Sequence, residues 1–278
     1  MAQLVLGMLS GLSMSAEEQI ALIRRVGFDG VFTDWTEEEG LTPYLAAIRR
    51  EGLFYQSVHA PFGHVHLLWE AEEEGEGELA RQMRCLEDAA RAEVPVVVAH
   101  TIIGMKRCTP GERGIARYGR LFDRAAELGV RLAVENTEGE CYLTTLYDAF
   151  RSHPAFGFCI DTGHEMCYNE RRDLISRYGD RLVATHLNDN LGRTGEEITW
   201  WDDSHLLPFD GTADWEGIAR RLHGVGYRGP LTLELTRQNK PNRQTHDRYA
   251  HLYDEAFFAE AYARACRFAD LMDKMAEQ

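Results

Sequence analysis

Short runs of consecutive apolar residues alternate along the whole chain with longer runs in which apolar positions recur every three or four residues. The short runs predict strands at Leu4–Leu9, Gly30–Trp35, Phe54–Ala60, Pro95–Thr101, Arg131–Asn136, Phe156–Asp161, Leu182–Leu187 and Pro230–Leu235. The longer runs predict helices at Ala16–Val26, Leu41–Glu51, Gly77–Ala92, Gly111–Leu128, Thr144–Ser152, Arg171–Tyr178 and Asp214–Val225, with a last one running from Tyr249 towards the C-terminus. In the first of them Ile20, Leu22, Ile23 and Val26 make one apolar stripe beside Glu17, Glu18, Arg24 and Arg25. Strands such as VPVVVAH are continuously apolar rather than alternating, which fits parallel strands covered by helices on the outside. Several helices end in the same punctuation, RRVGFDG, RREGLFY, AELGVRL and HGVGYRG, where glycine suits a left-handed cap. Eight such β–α units without a linker predict one α/β domain over residues 1–278, a single (β/α)8 barrel. An open doubly wound sheet is the weaker alternative, because the first β–α turn carries no GxGxxG.

Charge narrows the class of partner. Asp plus Glu number 45 against 30 Lys plus Arg, a net charge of -15, and no dense basic run exists. That balance argues against a protein whose business is neutralising phosphate backbones. The one conspicuous charge run, EAEEEGEGE from Glu70 to Glu78, is expected to be a solvated loop leading into a helix. No apolar stretch reaches membrane-spanning length, and MAQLVLGMLSGLSMS lacks the basic start of a secretory signal, so a cytoplasmic protein without membrane contact is expected. The six cysteines, Cys85, Cys108, Cys141, Cys159, Cys167 and Cys266, are scattered without a CxxC pair and are expected to be free thiols.

In a barrel of this kind, chemistry sits where strands end at the C-terminal face. Six consecutive predicted strands end in an imidazole or a carboxylate: His59, His100, Glu135, Asp161 with His164 three residues on, His186 and Glu234. Any one of them is as often a hydrogen-bonded structural group as a ligand. Six in series are different, and Glu135 and Glu234, each flanked by apolar residues, would place two anions in one barrel mouth. Such a pair calls for a cation, and a divalent ion held by oxygen and imidazole nitrogen suits it.

The series VHAP, ENT, DTGH, HLND and the Glu of LTLEL resembles the xylose-isomerase-like barrel superfamily over essentially the whole chain. That superfamily contains sugar and sugar-phosphate isomerases and epimerases, and also the endonuclease IV type of DNA-repair enzyme. The resemblance implies one divalent ion (Mn, Mg, Co or Zn) on Glu135, Asp161, His186 and Glu234, with His164 beside it as a substrate-binding group. A segment from Asp203 through His205 to Asp214 resembles the DxHxxPGxGxxD stretch, with Phe209 in place of the first glycine. The endonuclease-like members use nine ligands for three zinc ions, and all nine have counterparts here: His59, His100, Glu135, Asp161, His164, His186, Asp203, His205 and Glu234. The ketose 3-epimerase branch carries a further Glu where this chain has Cys141.

Two functions therefore stand. The first is a metal-dependent isomerase or epimerase of a sugar or sugar phosphate. In it Glu135 and Glu234 exchange a proton with the substrate from opposite faces, while His59, His100, His164, Asp203, His205 and Arg193 contact it. The second is a three-zinc phosphodiesterase acting on abasic DNA. A barrel that only binds is the weakest reading, since both proton-transfer carboxylates are present. The charge favours the small sugar as partner over nucleic acid, and a homo-oligomer is compatible with either. Trp35, Phe62, Trp200 and Trp201 fall in the upper loops, where they could pack on a sugar face. A phosphate would look for Asn188, Asn190, Gly192 and Arg193, or for Arg237, Asn239, Lys240 and Arg243, in the loops after the last two strands.

Overall fold

The computed structural model describes residues 2–104 and 109–277, so Cys108 lies outside the described residues. The chain runs β1 (Leu4–Gly7), α1 (Ala16–Val26), β2 (Gly30–Asp34), α2 (Thr42–Glu51), β3 (Phe54–His59), α3 (Leu67–Glu70), α4 (Glu73–Arg91), β4 (Val96–His100), α5 (Glu112–Leu128) and β5 (Arg131–Glu135). It continues with α6 (Glu140–Phe150), β6 (Phe156–Asp161), α7 (Thr162–Cys167), α8 (Leu174–Tyr178), β7 (Leu182–His186), α9 (Trp215–Gly224), β8 (Leu231–Leu233) and α10 (Asp254–Ala276).

All strand pairs are parallel and sequential from β1 to β7, and β8 pairs with β1. The ring closes between β7 and β8 through a bridge at Leu187 and Leu233, where Leu187 N donates to Thr232 O at 2.7 Å. The result is the expected eight-stranded parallel barrel wrapped in helices. Local signals set the helix limits. Ser15 accepts a hydrogen bond from Glu18 N while Glu18 Oε2 accepts one from Ser15 N, a reciprocal cap that starts α1. Gly52 and Gly129 end α2 and α5 with φ of 64° and 72°, a conformation that costs glycine nothing.

Strand periodicity aims the chemistry. Val96, Val98, Ala133, Cys159 and Ala184 form a small apolar layer of their own, distinct from the larger core between sheet and helices. Two residues further along the same strands stand His100, Glu135, Asp161 and His186. Side chains two apart share a face, so these four occupy the next layer up, at the C-terminal mouth.

Local expectations differ from the structure at several elements: α6 begins at Glu140 rather than Thr144, and α10 at Asp254 rather than Tyr249. The acidic run is helical from Glu73 onward, because Glu73, Glu74 and Glu76 lie in the first turn of α4, where free amides favour anions. Nor is it fully solvated: Glu78 is buried and accepts from Gln82 Nε2 at 2.7 Å, and Glu76 pairs with Arg117 and Arg120. The helix expected from Arg171 begins only at Leu174, where Asp173 accepts from Ser176 N. The two short helices α3 and α7 had no periodic signal, being four and six residues long. The described cysteines are free, as expected. Among the described residues no helix is long and apolar enough to cross a membrane.

Candidate active site

Register brings the strand ends into one cluster. His100 pairs with Glu135 across β4 and β5, and Asp161 pairs with His186 across β6 and β7. The Glu135 carboxylate lies at the centre. Its Oε1 is 2.7 Å from His186 Nδ1, and its Oε2 is 3.1 Å from His100 Nε2 and 3.3 Å from His59 Nε2. Glu234, just past β8, brings Oε2 to 3.1 Å from the same His186 Nδ1. One oxygen or nitrogen from each of Glu135, Asp161, His186 and Glu234 lies within 4.8 Å of the others.

Three further groups overlap this quartet: Cys159 joins its Glu135 and His186, and two groups flank it, His59 and His100 sharing Glu135, and His164 and His205 sharing Asp161. Asp203 ties the second pair together, with Oδ2 at 3.3 Å from His164 Nε2 and 3.0 Å from His205 Nε2. Every one of the nine strand-end and loop residues singled out in the sequence is therefore in the cluster or touching it. Arg193 is not. Its guanidinium pairs with Glu170 and Glu196 O, away from the cluster.

The supporting shell explains the motifs. Asp161 Oδ1 accepts from His164 N at 2.7 Å, so this carboxylate also starts α7. Its Oδ2 accepts from Asn188 Nδ2 at 2.8 Å, and Asn136 Oδ1 accepts from Asp161 N at 2.7 Å. Asn136 O faces His164 Nδ1 at 2.9 Å. Phe32 stacks on His186 with ring centroids 4.8 Å apart, and Phe62 stacks on His100 at 4.5 Å. His205 sits in a left-handed backbone conformation, φ 48°, rare outside glycine and typical of strained functional positions. Phe209 has φ 72°, so the loop keeps the backbone shape a glycine would give there. Its ring packs on Trp215 at 5.2 Å and under Arg267 at 3.8 Å.

Burial and charge are in tension. Asp161 and His186 are 0% exposed and Glu135 1%, whereas the Glu234 side chain keeps 24% and opens on the cavity. Burial pushes the Asp161 carboxyl up to about 7, against the pull of His164 and His205. Burial would lower the His186 imidazole, but Cys159, Glu234 and Glu135 hold it well above its ordinary value. The same contest, won by Asp203, lifts His205 to about 9. His100 goes the other way, because burial there outweighs Glu135. Three carboxylates so close are costly without a cation. A set of carboxylate oxygens and imidazole nitrogen fits a divalent ion of the Mn, Mg, Co or Zn kind.

Glu135 and Glu234 meet at one imidazole nitrogen rather than facing each other across a substrate-sized gap. Above them is a cavity of about 1510 Å³. Asp34, the last residue of β2, faces it and was missed in the sequence, where its strand reads as apolar and a lone Asp looks like a turn residue. Phe62, Trp200 and Trp201 line the cavity. Trp35 does not belong with them: it is buried, and its Nε1 donates to Asp88 Oδ2 at 2.6 Å. The basic residues that could serve a phosphate are engaged with carboxylates: Arg237 with Asp254, Arg243 with Asp202, and Lys240 with Asp203 at 4.0 Å. Asn188 and Asn190 are buried within the framework.

Comparison with known proteins agrees with this architecture. The family model described as "Xylose isomerase-like TIM barrel" matches residues 20–255. The uncharacterized protein y4fM of Sinorhizobium fredii (strain NBRC 101917 / NGR234) is 28% identical over 90% of this chain and 88% of its own. Among solved structures, a xylose isomerase-like TIM barrel/4-hydroxyphenylpyruvate dioxygenase fusion protein superposes with a TM-score of 0.74 at 18% identity. It covers 100% of this chain, which spans only 44% of the fusion. An L-ribulose 3-epimerase superposes with a TM-score of 0.74 at 15% identity over 100% of this chain and 97% of its own.

Proposed function

Because the chain belongs to the xylose isomerase-like TIM barrel family, we propose that it is a metal-dependent isomerase or epimerase of an unphosphorylated sugar. One observation carries the reading: donor atoms of Glu135, Asp161, His186 and Glu234 converge within 4.8 Å on the floor of a cavity at the barrel mouth. Sugar epimerases among the structural neighbours support it at the level of fold. The pairing of Arg193, Arg237, Lys240 and Arg243 with acidic side chains supports a substrate without phosphate.

In this proposal those four residues hold one divalent ion. When bound, the ion supplies Lewis acidity toward a carbonyl and its neighbouring hydroxyl. Glu234, open to the cavity, accepts the proton from the carbon beside the carbonyl and returns it to the neighbouring carbon in an isomerisation; an epimerisation needs Glu135 to return a proton from the other face. Glu135, sealed under three imidazoles, serves the proposed ion first and a proton only second. His59 and His100 face the substrate from β3 and β4, and His164 and His205 from the opposite wall. Asp203 fixes the last two in place. Phe62, stacked on His100, shields the reacting carbon from bulk water.

The test has two arms. Elemental analysis of protein purified without chelator should give about one ion per chain, lost in His186→Ala. In heavy water, a panel of ketoses should yield one that takes up solvent deuterium at the reacting carbon. Glu234→Gln should slow that exchange by about 10²-fold or more while retaining much of the metal. Full turnover without label would remove the proton-transfer mechanism.

A second reading is favoured by the two flanking groups, which share Glu135 and Asp161 with the quartet and so offer room for three ions. It is a three-zinc phosphodiesterase, and about three zinc ions per chain would promote it. Against it stand the acidic cavity wall, with Asp34, Glu138, Glu196 and Glu197, and the net charge of -15.

A further inference from the structure

The cavity has two tiers that the function proposed above does not account for. Its floor is polar and holds the carboxylate and imidazole cluster. Its upper wall is aromatic, built by the loop after β7. Trp200 is 52% exposed there and Trp201 38%, with their rings 6.3 Å apart and steeply inclined. Exposed large aromatics are costly on a surface with nothing to cover, and paired ones beside a cleft mark ligand sites. These two are also held rather than loose. Lys240 Nζ lies 5.5 Å from the Trp200 ring and Arg243 5.9 Å from Trp201, and both cations are anchored to Asp203 and Asp202. Thr199 Oγ1 accepts from Trp201 N and starts the short turn that carries both rings. At about 1510 Å³ the cavity also exceeds the roughly 300–1,000 Å³ usual for a drug-sized ligand. A single sugar ring seated on the polar floor leaves the aromatic tier uncovered.

We propose that the substrate is a neutral glycoside of two rings, the reacting sugar on the floor and the second ring stacked on Trp200. The chemistry of the upper tier selects the second ring. Its cations are paired, so an anionic group gains little there. A pyranose offers an apolar C–H face to an aromatic ring and hydroxyls to Thr194, Thr199 and the nearby carboxylates Glu196 and Glu197. This inference rests on the sugar reading, and its test separates the two.

Binding of glucose, fructose, maltose, cellobiose, maltulose and isomaltulose, all reducing sugars, to the full-length, metal-loaded protein is measured by calorimetry and by tryptophan fluorescence. At least one disaccharide should bind about tenfold or more tighter than either of its component sugars, with a fluorescence change. Trp200→Ala should collapse that ratio towards one, and Trp200→Phe should restore most of it, because a flat ring rather than the indole N–H is what the second sugar needs. Monosaccharides bound as well as every disaccharide would overturn the two-ring inference and leave the sugar reading standing. No binding by any member of the panel would overturn both. A ratio unaffected by Trp200→Ala would also overturn the assignment, whatever the affinities.

Discussion

Gly163, the second residue of α7, offers a sharp test of how the site is held together. A Cβ added there would stand 2.0 Å from Asn188 Oδ1. Asn188 is buried and tethered at both ends: its N–H donates to Thr162 Oγ1 at 3.0 Å, and its Nδ2 donates to Asp161 Oδ2 at 2.8 Å. Gly163→Ala must therefore turn the carboxamide or shift α7, and either breaks the bond to Asp161. Overpacking costs about 1–3 kcal/mol. Losing a hydrogen bond to a charged group costs about 1.5–3 kcal/mol more. Alanine's better helix propensity returns at most about 1 kcal/mol. The net expectation is a loss of about 2–5 kcal/mol, seen as a fall in Tm of at least about 4 °C. Urea denaturation of a double-mutant cycle isolates the cause. With Asn188→Ala already in place the obstruction is gone, so adding Gly163→Ala should be neutral or slightly stabilising, and the coupling should equal the whole single-variant loss of about 2–5 kcal/mol. An equal cost in both backgrounds would refute the packing argument and leave the glycine of DTGH unexplained.

Other outcomes follow from the same structure. Arg221→Ala removes both guanidinium bonds (2.8 Å each) to the buried Glu165 and should cost about 3 kcal/mol in urea denaturation; Arg221→Lys should recover less than half. A loss under about 1 kcal/mol would mean that Glu165 is satisfied without it. Phe209→Gly should be less damaging than Phe209→Ala by about 1 kcal/mol, the reverse of the usual order, because φ at this position is 72°. The purified protein should leave abasic duplex DNA intact and bind it weakly, with a shallow salt dependence, since its net charge is -15. Cleavage abolished by His100→Ala would reverse the ranking of the two functions.

The barrel was legible because its strands announce themselves. Val96 to His100 is apolar until its last residue and so is Leu132 to Glu135, and that abrupt polar end marks where each strand leaves the core. The cluster was legible for the same reason, since inward positions recur every second residue and the ligand types stack at one height. What the sequence hid was everything set by contacts between distant segments. Trp35 looked like a loop aromatic until Asp88, from α4, supplied its partner. The basic residues near Lys240 and Arg243 looked like a phosphate site because their acidic partners Asp203 and Asp202 lie some 40 positions earlier in the chain. Helix α7 was invisible because its start is fixed by the Asp161 side chain, not by periodicity. The role of Glu234 as the accessible carboxylate, with Glu135 sealed below, is likewise a matter of depth that no linear pattern records.

The ring is closed less firmly between β7 and β8 than between β4 and β5. β4 and β5 are joined over five residue pairs, whereas β7 and the three-residue β8 meet at a single bridge, helped by the side-chain oxygen of Thr185. The barrel thus has a seam, and a seam is where a closed sheet first unzips. Asp161 and His186 stand on one side of it and Glu234 on the other, with Glu135 behind. A cation gripped by all four would rivet the two margins together. Amide exchange at Leu187, Thr232 and Glu234 would then slow on loading far more than exchange in β2 or β3, which carry none of the four ligands.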